Sequence, residues 1–277
     1  MTPTTTRLSI AAAVALATSI ASMGHAAASD SCGDLGLGKN KNAIHDALRT
    51  ALSAVAPNAA LNGGLNNNMW ATLVDRDGIV CAIAFTGDTR NDQWPGSRVI
   101  SAQKADTAAS FNLPAHKGGT VDALSTANLY TAVQPGGSLY GLQFSNPVNP
   151  AAAYNGDPGK FGTSNDPLVG VHPGGVNVFG GGLGLYNASG DKVGAVGVSG
   201  DTSCADHNVA WRLRGQLGLD KLTTAGVKGL SAAGHEDNII YDLSDTDKHD
   251  AVDHSAGGFG HPKCGFGEDA IALPATT

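Results

Sequence analysis

"GAVGVSGDTSCADHNVAW", residues 194–211, is the stretch on which the fold turns. A small, apolar, glycine-punctuated run stops abruptly near Gly200, and Asp201, Cys204, Asp206 and His207 then lead into a helical pattern. Val193 to Val198 reads as a final strand, because it is short, apolar and bounded by turn residues. Gly200 permits a sharp exit. Acidic residues from Asp201 to Asp206 suit the positive end of a helix, so capping explains Asp206 as readily as a ligand role does. The helix is expected from about Ala205 to Leu217, with Val209, Leu213 and Leu217 on one stripe.

Working outward, Val176 to Tyr186 and Lys192 to Ser199 flank Asn187-Ala188-Ser189-Gly190, which makes a hairpin whose frequent glycines face a close neighbour. An earlier hairpin is signalled by Met69 to Asp75 and Ile79 to Phe85, joined through Arg76-Asp77-Gly78. Ile44, Leu48, Leu52 and Val55 stand at helical spacing before Pro57, after which residues 62–68 read as a flexible run. Ser97 is a candidate N-cap for a helix from Arg98 to Phe111, ended at Pro114. Its Ala102, Ala105, Ala108 and Ala109 allow close packing on a sheet. A shorter helix is expected from Ser125 to Val133, stopped by Pro135-Gly136-Gly137. Residues 145–175 are too long for a simple connection and read either as an ordered Ω-like excursion, a lid, or as a disordered segment. The order helix, hairpin, helix, helix, hairpin, helix, with local connections, predicts an α+β fold: a profilin-like antiparallel sheet built from two hairpins and flanked by helices.

The chain has 277 residues and a formal net charge of −7. Arg7 ahead of an apolar stretch from Leu8 to Ile20, then small residues, reads as a signal peptide over residues 1–28, which places the mature chain in the periplasm or outside the cell. That stretch is too short to span a bilayer, and no later segment qualifies. The remainder divides into a domain over residues 29–220, carrying the 145–175 insertion, and an acidic extension over 221–277 whose "NIIYDL" is a candidate edge strand. No Lys or Arg cluster is present, which argues against nucleic acid as a partner. Four cysteines, Cys32, Cys81, Cys204 and Cys264, form an even set for two disulfides in an exported chain. Three pairings are open; Cys32 with Cys81 and Cys204 with Cys264 is favoured, since each bridge would pin a terminal segment to a nearby element.

Several catalytic patterns fail. "GVSGD" around Ser199 does not meet the G-x-S-x-G elbow, and "FGGGLGLYNASG" lacks a dinucleotide fingerprint, so no nucleotide cofactor is expected. Lys104 lies on the helical stripe of Ile100, Thr107 and Phe111, so its stem is expected to be covered while its ammonium reaches a rim or a carboxylate-bearing ligand. His172 precedes a strand at the end of the long loop, where it would meet a ligand or metal. His207 falls in the first turn of the last helix, near the hairpin mouth. The tail holds His235, Glu236, Asp237, Asp247, His249, Asp250, Asp253, His254 and His261 at no defined metal spacing, which reads as solvated.

The segments "VDRDGIVCAIAF", "WPGSRVISAQKADTAASF", "LSTANLYTAVQPGGSLYGLQFSNPV", "GGVNVFGGGLGLY" and "KVGAVGVSGDTSCADHNVAW" together resemble the haem-binding GlcG/HbpS family over roughly residues 38–220. Most specific are Ala102, Lys104, Ala105, Thr107 and Ala108 in one helix, and the closing G-A-V-G-V-S-G with Asp206 and Ala210. The resemblance implies a profilin-like domain that forms homo-oligomers, with exported members binding haem and some credited with degrading it. Within that expectation a tetrapyrrole lies in an apolar slot between the second hairpin and the Ala-rich helix. His172 and His207 are then the candidate iron ligands, Lys104 and Arg98 the propionate partners, and Asp206 or His207 the proton carrier if haem is broken down. A different class of function is a non-catalytic sensory or oligomeric scaffold module that binds another small molecule. The long insertion, the cysteines and the tail depart from the short family pattern.

Overall fold

The computed structural model describes residues 30–113, 123–223, 225–227, 229–244 and 254–277. The expected leader, Pro114, and tail residues Asp247, His249, Asp250 and Asp253 lie outside them. A short 3-10 turn, Asp30–Leu35, precedes α1 (Lys41–Val55), α2 (Ala59–Asn62), β1 (Trp70–Asp75), β2 (Val80–Phe85) and α3 (Ser97–Ser110). Next come α4 (Leu142–Ser145), α5 (Pro150–Ala153), β3 (Gly182–Tyr186), β4 (Lys192–Ser199) and α6 (Ser203–Gln216). A small ribbon, β5 (Leu243–Ser244) with β6 (His254–Ser255), lies in the extension. Among the described residues, no helix is long and apolar enough to cross a membrane.

The two hairpins form one antiparallel sheet in the order β2-β1-β4-β3. They meet where Trp70 faces Ser199 and Asp75 faces Gly194. Alternation sorts the side chains by face. Ala71, Leu73, Val196 and Val198 join α1 and α6 in one core, with Ile44, Leu48, Leu52, Val209 and Leu213. Trp70, Val74, Ile83, Phe85 and Ala195 join the alanines of α3 in the other. Both faces are therefore covered, which is why these strands are apolar at nearly every position.

Local differences from the expected elements have physical causes. The segment over 125–133 is a pair of 3-10 turns, Thr126–Leu129 and Thr131–Val133, because Ser125 and Asn128 hold each other in a tight capping box. Residues 62–68 are tied down: Asn62 is buried and donates to Val55 O at 2.8 Å. Ser97 is the first residue of α3 and does not cap it with its side chain. The "NIIYDL" segment ends in β5, which pairs with β6 and not with the main sheet.

Close approach of α3 sets the spacing of that layer. A Cβ placed on Gly197 would lie 2.0 Å from Ser101 O and 2.5 Å from Ala105 N. Gly182 is under the same pressure, 2.6 Å from Lys104 O. Gly197→Ala must push helix and strand apart and is expected to cost about 2–3 kcal/mol of unfolding free energy. Gly33→Ala, with nothing within 4 Å of the added carbon, should stay within about 0.5 kcal/mol of wild type. Equilibrium denaturation of the two variants checks both values.

Candidate functional site

The slot expected between the second hairpin and α3 is filled by the protein itself. Backbone meets backbone at Gly197 and Gly182, and Thr72 Oγ1 lies 2.8 Å from Ser101 Oγ across the same interface. No flat ring fits there. The sheet end beyond it is closed by Lys104, which is only 2% exposed. Its Nζ donates to Asp206 Oδ2 at 2.7 Å and to Val198 O at 3.1 Å. The ammonium does not reach a rim: it joins α3 to the start of α6 around the end of β4. Asp206 Oδ1 also accepts the Asp201 N–H at 2.9 Å. Burial raises the Asp206 pKa to about 6, against the pull of Lys104. The N-cap of α6 is Thr202, whose side chain accepts from Ala205 N, while Asp201 turns to the amides of Leu65 and Asn67.

Arg98 is likewise interior. Its guanidinium makes a two-pronged pair with Asp166, donates to Ala153 O at 2.8 Å, and lies 3.7 Å from the centre of the Phe161 ring. Asp166 in turn accepts Gly162 N at 2.7 Å and Leu168 N at 2.9 Å. The 145–175 segment is thus an ordered excursion folded around one arginine. Sequence offered no signal for Asp166, since the partner of a buried arginine is set by how the loop returns.

His207 is fully buried, and neither ring nitrogen has a hydrogen-bond partner. Burial foremost, then Arg214 and His261, pushes its pKa down to about 3; the nearby Asn238 amide opposes this weakly. The C-terminal extension covers this part of α6. Arg214 pairs with Asp237 through two bonds of 2.6 and 2.9 Å, Trp211 Nε1 donates to Pro274 O at 2.8 Å, and Asn208 Nδ2 donates to Glu268 O at 3.2 Å. His261, expected to be solvated, is 1% exposed. Asp237 is 0% exposed. Arg214 lies within the helix expected from about Ala205 to Leu217, and its partner is 23 residues away. Disulfides join Cys32 to Cys81 and Cys204 to Cys264, the pairing favoured above.

His172 is the exception. Its side chain is 47% exposed, and Nε2 lies 3.1 Å from Oδ1 of the buried Asp106 on α3. Gly174 N donates to Nδ1 at 3.2 Å, and Nε2 stands beside the carboxylate, whose buried Oδ1 accepts no hydrogen bond. Burial raises Asp106 to about 6, while His172 acts to lower it. Gly78 is required here, since a Cβ would fall 2.2 Å from Asp106 Oδ1 and 2.8 Å from His172 Nε2. Of the expected site residues, the structure brings Lys104 and Asp206 together, with His207 beside Asp206 in sequence but enclosed under the extension. Arg98 and His172 belong to separate contacts.

The family model for the HbpS-like haem-degrading proteins matches residues 44–213, from α1 through most of α6. The chain belongs to the HbpS-like family. No curated protein sequence matches it. Among solved structures, it is similar to the ORFY protein of Klebsiella pneumoniae, with 25% identity, 62% of this chain and 86% of that one covered, and a TM-score of 0.40. A PduOC:haem complex has 20% identity, covers 62% and 89%, and scores 0.39. A double mutant of Streptomyces reticuli HbpS has 17% identity, covers 76% and 99%, and scores 0.37.

Two outcomes follow from the buried charges. Lys104→Met leaves Asp206 buried without its cation and should cost about 3–5 kcal/mol, whereas Lys104→Met combined with Asp206→Leu should recover much of that loss; denaturant midpoints decide it. The second concerns acid. An unfolded histidine takes up a proton near pH 6.5, which folded His207 refuses down to about 3. Its contribution is therefore complete above about 6.5 and is lost as the pH falls. Asp206 works in the opposite sense: its raised pKa favours the fold at low pH, an advantage lost as pH rises through about 6. His207→Leu should gain stability relative to wild type by about 1.4 kcal/mol per unit between pH 6 and 4. Parallel stability curves for the two proteins would refute this.

Proposed function

We propose that the chain is an exported haem-binding protein in which His172 ligates iron and Asp106 orients it. The observation that carries this reading is the HbpS-like haem-degrading family match across the whole sheet-and-helix unit. His172 supports it chemically: a ligating histidine ordinarily hands its other ring N–H to a carboxylate, and the Asp106 carboxylate lies 3.1 Å from Nε2, close enough to take that role with a small change of angle, although Oδ1 accepts no hydrogen bond in the chain as it stands. Nδ1, which accepts only the exposed Gly174 N–H at 3.2 Å, is the nitrogen that would ligate iron. His207, the other expected ligand, is enclosed with both nitrogens away from solvent, and Lys104 and Arg98 are committed to Asp206 and Asp166. They do not serve as propionate partners in this arrangement.

Haem would be held at His172, outside the filled α3 interface. Bound haem supplies a redox-active iron. The protein's own part is to hold that ring through a preset imidazole and to keep the His172 proton on the side of Asp106. Turnover lies outside the proposal, because Asp206 and His207, the expected proton carriers, are buried away from any approaching substrate. The filled interior gives support to the second reading, a non-catalytic sensory or scaffold module.

Titration of the purified mature chain with haemin separates the two. A saturable Soret band is expected, with His172→Ala weakening binding by about tenfold or more and Asp106→Asn shifting it less. An unchanged haemin spectrum favours the scaffold reading, and a full Soret band in His172→Ala removes His172 from the site.

A further inference from the structure

Asn62-Gly63 and Asn155-Gly156 are the two Asn-Gly pairs of the chain. An asparagine followed by glycine is chemically labile, because no Cβ on the following residue hinders attack of its backbone nitrogen on the side-chain amide. The fold treats the two pairs in opposite ways.

Asn62 is shut in. It is 2% exposed, and its Nδ2 donates to Val55 O at 2.8 Å and to Asn58 O at 3.0 Å. The nitrogen that would attack, Gly63 N, is committed to Ala59 O at 2.8 Å. Glu268 of the extension closes over the glycine, since a Cβ there would fall 2.8 Å from Glu268 Cγ. Ring closure at this pair first needs a local opening that breaks these contacts.

Asn155 follows α5 in the long insertion, and residues 154–160 are all exposed. Gly156 N donates to Asn155 Oδ1 at 2.8 Å, so the attacking nitrogen is already held against the amide it must reach. The turn also requires glycine: φ at Gly156 is 81°, and a Cβ would lie 2.4 Å from Pro167 Cγ. A bulkier residue, which would slow the attack, is therefore strained by the same turn that presents the asparagine. The segment is held on either side. Ala153 O accepts Arg98 Nη1 at 2.8 Å, and Asp157 caps the 3-10 turn Pro158–Lys160 by accepting Gly159 N at 2.8 Å.

We propose that Asn155 is a site of spontaneous deamidation through a succinimide, with water as the co-reactant. A solvent base removes the Gly156 N–H proton, the nitrogen bonds to Asn155 Cγ, and the Cγ–Nδ2 bond breaks with a proton from water, releasing ammonia. Water then opens the ring. Opening at Cγ leaves aspartate; opening at the main-chain carbonyl carbon leaves isoaspartate, whose backbone runs through Cβ and Cγ. Either product puts a new carboxylate beside Asp157, and isoaspartate lengthens the chain between the Arg98 contact and the Asp157 cap. This modification belongs to the insertion and stands whether or not the chain binds haem.

The test incubates the mature chain, folded and in denaturant, at mildly alkaline pH. Mass spectrometry follows the amide-to-acid mass gain in the peptides carrying Asn62 and Asn155, and enzymatic methylation scores isoaspartate. In the folded chain, conversion at Asn155 is expected to outpace that at Asn62 by about tenfold or more, and in denaturant the two rates should converge. Asn155→Gln should remove the isoaspartate signal from the folded chain. A smaller folded-state difference overturns the proposal. So does a difference that is as large in denaturant, or an isoaspartate signal undiminished in Asn155→Gln.

Discussion

How closely α3 lies on the sheet governs the rest of the molecule. Gly197 and Gly182 allow the helix backbone to touch the strands, and Ala102, Ala105, Ala108 and Ala109 keep the facing side small. Two consequences follow at once. There is no room between these layers for a ligand, and a long side chain on this helix must leave along the end of the sheet. Lys104 does so and meets Asp206 on α6, so a packing requirement in one layer becomes an ionic joint between two.

The same joint is made three times with different partners. Lys104 to Asp206 ties the two helix layers together, Arg98 to Asp166 folds the long insertion, and Arg214 to Asp237 fastens the extension. Each cation sits on one of the long helices; Asp206 sits on α6, while Asp166 and Asp237 sit on the insertion and the extension. Burying such pairs gains little over an apolar filling, but leaving one partner alone is costly. Their physical effect is therefore specificity of docking: a wrong position of the loop or the tail would strand a charge in a dry interior.

Covering α6 with the extension decides which histidines face water. His207 and His261 lie beneath it and stay neutral well below their ordinary range, whereas His172 stands at the surface against Asp106. Within the residues that match the HbpS-like family, the exposed His172 lies at the end of the 145–175 segment. The Cys204–Cys264 bridge and the tail make a second chemical environment at the start of α6, enclosed and sulfur-rich.

Local pattern was enough to read the two hairpins, the three long helices and the α+β class, because strand alternation, helical spacing and Asp77-Gly78 act over a few residues. β4 occupies the expected Lys192–Ser199, and the alanines of α3 do lie on the sheet. The cysteine pairing was open on the sequence, with one arrangement favoured by position. What tertiary structure alone decided was the fate of the charged and imidazole side chains. Asp166 and Asp237 are 68 and 23 residues from the arginines they neutralise, and no periodicity relates them. Lys104 looked like a residue whose charge would escape to water, yet the desolvated end of the sheet supplied both a carbonyl and a carboxylate. Sequence specifies which surfaces are apolar; only the folded chain specifies which polar groups are brought together when those surfaces close, since that depends on contacts distant along the backbone.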